Sequence, residues 1–172
     1  VAPTLRGGDL IILWRLTRPR RGDLVLCPEP NAQGRAVVGR LVGDPGDTVV
    51  VKGSEVSVND HKAYTERACL ASEFLVRDPN VGANVKQSCQ VEVLNGHVHM
   101  RGSVGGYKMV PPDAKKEVED GRAFLLSDNR LFPYDSRDYG TVERGSCAEA
   151  VVFRLSGGKG FFDQSSRFTF IQ

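Results

Sequence analysis

Short apolar runs separated by polar turns dominate this chain of 172 residues. The runs are rich in Val and Leu, and the 19 glycines and 9 prolines are spread among them. Brief apolar or alternating runs bounded by turn formers are typical of β-strands rather than helices. The pattern predicts strands at residues 9–15, 23–27, 36–42, 48–52, 55–58, 91–94, 97–101, 106–110, 123–127 and 148–155.

Only one segment has helical signals. Residues 111–121, PPDAKKEVEDG, begin with proline, contain acids and lysines and end on Gly121, which predicts a single short helical turn. The chain is therefore expected to be all-β, with antiparallel sheet folded into a barrel or a sandwich.

The middle of the chain has a different composition. Residues 53–60, GSEVSVND, predict a hairpin leading away from the main sheet. The stretch that follows is more polar and contains all three histidines, Cys69 and Cys89. We interpret residues 59–112 as an inserted β-rich lobe, and residues 1–58 and 113–172 as the core.

The charge and hydropathy of the chain limit the classes of partner that can be expected. The net charge is +2, with 23 basic against 21 acidic residues, so no basic stripe indicates nucleic acid. The longest apolar run, residues 10–14, is far shorter than the roughly 20 residues of a membrane helix. Because the chain starts inside a motif, at Val1, we expect an N-terminal membrane anchor to be missing from it.

The cysteines and histidines do not predict a metal site. No C-x-x-C pair occurs among the four cysteines. Cys69 and Cys89 are either two free thiols or a disulfide, which would imply an extracytoplasmic compartment, while Cys27 resembles a small buried hydrophobe. His97 and His99 alternate on a predicted strand without a third ligand, so we predict a solvated strand face, no metal and no cofactor.

Four separated segments resemble, in order, motifs of the type I signal peptidases, membrane-bound serine endopeptidases with a Ser/Lys dyad. The segments are APTLRGGDLII (2–12), RPRRGDLVLCPEP (18–30), VVGRLVGDPGDTVVV (37–51) and GRAFLLSDNRLFPYDSRDYGTV (121–142). The resemblance implies a folded β-barrel catalytic core with a second β lobe. It also implies a location at the extracytoplasmic face of a membrane and signal-peptide-bearing preproteins as substrates.

The dyad of that family is not intact here. The alignment puts the nucleophilic serine directly before Val1 and places Gly39 where the general-base lysine stands. Arg40 cannot replace it, because a guanidinium does not lose its proton, and Lys52 or Lys108 would have to reach the same buried position. The hydroxyl that orients the lysine is replaced by Pro133, which has no side-chain donor or acceptor.

Other positions of the motifs are kept. Two residues apart on an extended segment, Asp135 and Arg137 can form an ion pair. The resemblance implies a site scaffold of Arg40, Asp128, Asn129, Asp135 and Arg137. Residues expected to contact an extended peptide are Val1, Ala2, Leu5, Val37 and Val38.

Three functions compete. The departures at Gly39 and Pro133 favour a pseudo-peptidase that binds a peptide or a partner without cutting it. An active signal peptidase with a serine before Val1 and a non-standard base is the alternative, and a structural domain of an envelope or secretion assembly is the third. The basic turn TRPRR (17–21), near Trp14, Phe161 and Phe162, either contacts anionic lipid or is a solvated turn.

Overall fold

A computed structural model describes residues 1–103 and 112–171. Strands account for 52% of it and helix for 6%, so the predicted all-β class is confirmed. The strands are β1 (Leu10–Trp14), β2 (Leu24–Pro28), β3 (Ala36–Gly43), β4 (Thr48–Lys52), β5 (Glu55–Val58), β6 (His61–Lys62), β7 (Tyr64–Arg77), β8 (Asn84–Leu94), β9 (His97–Ser103), β10 (Ala114–Glu117), β11 (Arg122–Leu126), β12 (Val142–Glu143), β13 (Glu149–Ser156) and β14 (Thr169–Phe170). One helical turn, α1 (Ser136–Tyr139), precedes β12.

The strands form three antiparallel sheets. The first has the order β1-β13-β2-β3-β11-β12, with β14 added to β13. The second is β10-β4-β5-β6 and the third is β7-β8-β9. The expected barrel does not close in the described part of the chain, because β1 and β12 end the first sheet at opposite edges without pairing with each other.

One predicted element has a different structure, and the longest strand was not predicted. The segment expected to form a helical turn contains strand β10, in which Lys115 pairs with Val50 of β4, since its alternating exposure suits a sheet edge. Strand β7 was not predicted because its side chains are mostly exposed and its apolar and polar residues do not alternate regularly. The strand expected at residues 106–110 lies outside the described residues.

The third sheet falls within the segment interpreted as a lobe, whereas β6 pairs with β5 of the second sheet. The boundaries proposed for core and lobe stay a prediction. No helix among the described residues has the length and hydropathy to cross a bilayer.

The cysteines form two disulfides. Cys69 joins Cys89 within the third sheet. Cys27 is buried, as expected, but it is not a free thiol, because it joins Cys147 with their Cα atoms 4.5 Å apart. The register of β2 against β13 sets Leu26 opposite Glu149 and so brings Cys27 and Cys147 together.

Candidate functional site

The first turn of the chain packs onto the segment that follows β11. Thr4 is buried, and its Oγ1 donates a 2.5 Å hydrogen bond to Oδ2 of Asp128. Leu5 belongs to the core beneath the turn, and Val1 and Val38 pack against that cluster. The turn where the resemblance places the nucleophile is thus anchored to the rest of the site.

Asp128 and Arg40 form a fully buried ion pair at the centre of this arrangement. Arg40 donates through Nε to Oδ1 and through Nη2 to Oδ2, each at 2.8 Å, and through Nη1 to the Gly22 carbonyl oxygen at 2.5 Å. Burial alone would raise the pKa of Asp128, but the charge and hydrogen bonds of Arg40 outweigh it and lower the pKa to about 2. Asp128 is therefore an anionic anchor and not a proton acceptor.

Asp135 and Arg137 form a second buried pair, in a geometry that differs from the prediction. Arg137 donates through Nε and Nη2 to the two carboxylate oxygens at 3.0 and 2.8 Å. The segment is not extended here, because Asp135 is the N-cap of α1 and accepts from the backbone N–H of Arg137. Its other oxygen accepts from the N–H of Ser127 at 3.0 Å, so the pair holds the wall of the site in place.

A cavity of about 290 Å³ lies beside the first turn. It is lined by Val1, Glu29, Arg35, Ala36, Val37, Val38, Ser127, Phe132 and Tyr134. We call this the site cavity. Of the predicted peptide-contacting residues, Val1, Val37 and Val38 line it, whereas Leu5 is buried in the core and Ala2 packs against the cluster around Cys69 and Cys89.

Strand β3 offers a free edge to the site cavity. Ala36 to Arg40 pair with β2 on one side. On the other side, pairing with β11 begins only at Arg40, opposite Leu126. The backbone of residues 36–39 therefore has no strand partner there among the described residues, and it can pair with an extended peptide.

Gly39 is buried in this stretch and its side-chain position is already occupied. A Cβ atom added to Gly39 would lie 2.9 Å from Cβ and 3.4 Å from Cδ1 of Leu125. Leu125 is fully buried in the neighbouring strand β11, and a Cβ atom cannot move without its backbone. Position 39 therefore has no room for a lysine unless β11 shifts or Leu125 changes.

No other described lysine supplies the missing amine. Lys52 is exposed at the end of β4 in the second sheet and lines different cavities. No lysine lines the site cavity within residues 1–103 and 112–171, and Lys108 lies outside them. Pro133 is half-buried between Phe132 and Tyr134, both of which line the site cavity.

A polar end of the site cavity was not predicted from the sequence. Glu29 is buried, accepts a hydrogen bond from the Tyr134 hydroxyl, and has Oε2 3.2 Å from Nε of the exposed Arg35. The hydrogen bond to Glu29 raises the pKa of Tyr134. Because Glu29 and Tyr134 are 105 positions apart, no local sequence pattern could have indicated their contact.

The third sheet contacts the site through its last two strands, β8 and β9. The Gly102 N–H donates to the Asp128 carbonyl oxygen at 2.8 Å, and Gln87 Nε2 donates to Oδ1 of Asn129 at 3.1 Å. Asn129 thus links the third sheet to the segment after β11. The solvated face predicted for His99 is wrong, because this ring is buried with Nε2 3.0 Å from Oε2 of Glu92, while His97 is exposed.

Comparison with known proteins identifies the family of this chain. The family described as "Signal peptidase, peptidase S26" matches residues 1–156. Signal peptidase I U of Bacillus subtilis (strain 168) is 28% identical over 142 residues, covering 80% of this chain and 60% of that protein. Signal peptidase I of Bacillus caldolyticus is 27% identical over 156 residues, covering 88% and 72%.

A signal peptidase I crystal structure from Enterococcus faecalis V583 aligns with a TM-score of 0.44 and 21% identity, covering 78% of this chain and 97% of that one. An all-β fold and a family match over most of the chain define a peptidase-like protein. The chain belongs to the signal peptidase family S26. It spans about 60% of the length of the Bacillus subtilis relative.

Proposed function

We propose that this chain binds the extended end of a signal peptide, on its own or in a preprotein, and does not cleave it. The observation that carries the proposal is the packing at position 39, where Leu125 fills the place of a side chain. Family membership supplies the substrate class, and the geometry at Gly39 argues against the proton transfer.

The chemistry requires a base within hydrogen-bond reach of the attacking hydroxyl. A serine hydroxyl is not nucleophilic near neutral pH without one, and a lysine serves only when its surroundings lower its pKa. The carboxylates nearest the first turn do not replace it, because Asp128 is bound by Arg40 and Thr4. Pro133, at the position of the orienting hydroxyl, supports the same conclusion.

The binding half of the proposal depends on the site cavity. The unpaired side of residues 36–39 offers backbone hydrogen bonds to an extended peptide, and the shallow cavity beside Val37 and Val38 suits small side chains. These features are independent of a nucleophile or a base.

A fluorescent peptide ending in Ala-x-Ala tests binding through anisotropy, and mass spectrometry of the same mixture tests cleavage. We expect saturable binding with intact peptide. Val38→Phe should fill the site cavity and weaken binding at least tenfold, while Ser57→Phe, on the second sheet, should leave it unchanged. Equal affinity of both variants would contradict the proposed site.

We also propose that the protein works at the extracytoplasmic face of a membrane. Both disulfides are typical of an oxidising compartment. Leu10, Ile12 and Trp14 are 55%, 44% and 43% exposed along β1, and the basic turn 17–21 follows directly. Together they form an apolar face with a cationic border, which suits an anionic lipid surface.

Co-sedimentation with anionic vesicles at low salt tests this surface. Trp14→Asp should reduce the bound fraction severalfold, whereas Leu75→Asp, at a 57% exposed position on β7, should not. Absence of binding by the unaltered protein would remove the membrane proposal and leave the peptide proposal untouched.

An active signal peptidase with a non-standard base is the second candidate. Family membership favours it. It requires an amine to reach the first turn from a position other than 39, and it is separated from the first proposal by the cleavage measurement described below.

A further inference from the structure

A buried cluster of charged side chains lies where the third sheet meets the segment after β11. It consists of Glu92 on β8, His99 and Arg101 on β9, and Arg130. Their side chains are 3%, 1%, 9% and 1% exposed, respectively. We call these four residues the junction cluster.

The Glu92 carboxylate contacts all three basic side chains of the junction cluster. Nη2 of Arg130 donates to Oε2 of Glu92 at 2.7 Å, and Nε2 of His99 lies 3.0 Å from the same oxygen. Nε of Arg101 lies 2.9 Å from Oε1, and its Nη2 donates to Oγ1 of Thr65 at 3.1 Å. Two buried guanidinium groups therefore share a single negative charge.

Several buried donors of the junction cluster have no hydrogen-bond partner in the described part of the chain. They are Nε and Nη1 of Arg101 and Nε and Nη1 of Arg130, and Nδ1 of His99 is also without a partner. Nε of Arg101 is an ion-pair contact of Glu92 but does not form a hydrogen bond with it. The pKa of Arg101 is lowered, chiefly because the guanidinium is buried. The positive charge of Arg130 lowers it further, and the negative charge of Glu92 only partly offsets these effects. A buried guanidinium that lacks both a counter-charge and hydrogen bonds is strongly unfavourable.

Within residues 1–103 and 112–171, no carboxylate other than Glu92 forms an ion pair with Arg101 or Arg130. Residues 104–111, VGGYKMVP, follow β9 and contain neither Asp nor Glu. Glu55 also acts on Arg101, but its side chain is 60% exposed and is paired with Lys62 at 2.9 Å. Water can satisfy N–H groups, but it cannot neutralise a net positive charge.

We propose that the junction cluster binds a small inorganic anion of halide size, held by the free N–H groups of Arg101 and Arg130. The anion neutralises the surplus guanidinium and joins β9 to the segment that carries Asp128 and Asn129. A small ion fits the chemistry because every donor belongs to a buried side chain and two or three N–H groups suffice to hold it. This inference does not depend on the proposed function.

Thermal unfolding with sodium chloride exchanged for sodium gluconate at constant ionic strength tests the site. A ligand that binds only the folded state raises Tm with the logarithm of 1 + [L]/Kd, by about 5–10 °C at a hundredfold excess over Kd for a chain of this size. Arg101→Gln removes the surplus charge and leaves Arg130 paired with Glu92, so its Tm should not respond to chloride. Arg35→Gln, a 67% exposed arginine outside the junction cluster, should keep the full response.

Two measurements on the unaltered protein keep the test decisive if Arg101→Gln does not fold. Binding should broaden the ³⁵Cl NMR line, and crystals grown with bromide should show anomalous density beside Nη1 of Arg101 and Arg130. The same Tm in both salts, with no ³⁵Cl broadening, would overturn the proposal in favour of water alone. An undiminished chloride response in Arg101→Gln would overturn it by placing the anion elsewhere.

Discussion

Replacing Gly39 by alanine should destabilise the protein, although alanine is usually the better residue outside special backbone conformations. The added Cβ would lie 2.9 Å from Cβ of Leu125, closer than carbon atoms normally approach. Overpacking of this kind destabilises a folded protein by about 1–3 kcal/mol. Alanine also lowers the conformational entropy of the unfolded chain, which stabilises the folded state by only about 0.4–1 kcal/mol. The net expectation is a loss of about 1–2 kcal/mol in the free energy of unfolding.

Urea denaturation of a double-mutant cycle identifies the atom responsible. Leu125→Ala keeps the Cβ atom, so Gly39→Ala should cost nearly as much in that background as in the unaltered protein. Leu125→Gly removes the atom, and the coupling free energy should then be about 1–3 kcal/mol. Gly145→Ala is the matched control, because a Cβ there meets nothing within 4 Å.

A neutral or stabilising Gly39→Ala would refute the reasoning. It would mean that position 39 can accept a side chain, and a lysine there would no longer be excluded by packing.

Further predictions concern the charged groups of the site. Asp128→Asn leaves the buried Arg40 without its counter-charge and should cost about 3–5 kcal/mol in urea denaturation. The pKa of Asp128 is lowered from 3.8 to about 2, which corresponds to a stabilisation of the folded state by about 2 kcal/mol. This stabilisation is complete above pH 3.8 and is lost as the pH falls toward 2. Asp128→Asn should lack this acid-sensitive component of stability. Tyr134 should titrate above its ordinary pKa of 10.0. In an NMR titration, Glu29→Gln should lower the pKa of Tyr134, whereas Glu149→Gln should leave it unchanged. An unchanged pKa of Tyr134 in Glu29→Gln would exclude the hydrogen bond.

Local pattern was sufficient for the longer strands of the first two sheets, β1 to β5, β11 and β13. Val56 and Val58 alternate with polar residues on β5, whereas β4 is a short valine run between Thr48 and Lys52, and both patterns are typical of strands. The two-residue strands β6, β12 and β14 were not predicted. Strand β10 has no alternation of apolar and polar residues, since its sequence is AKKE. It occupies a sheet edge, where propensity is weak and the pairing of Lys115 with Val50 decides the structure.

Only those residues of the candidate site that lie within the sequence motifs could be predicted. The motifs located Asp128, Arg40 and Gly39, since each has a fixed position in a segment that resembles a motif of the family. The filling of position 39 by Leu125 and the contact of Glu29 with Tyr134 depend on strand register and on a hairpin turn. A single sequence carries no signal for such contacts between distant segments.

Cleavage by protein that carries a serine directly before Val1 tests the central claim most directly. The measurement is the rate at which an Ala-x-Ala signal-peptide substrate is cut in detergent, compared with the same protein carrying alanine before Val1. Without a base at position 39, both proteins should cut at the same background rate. Cleavage that depends on the serine would contradict the account and establish an active peptidase with an unconventional base.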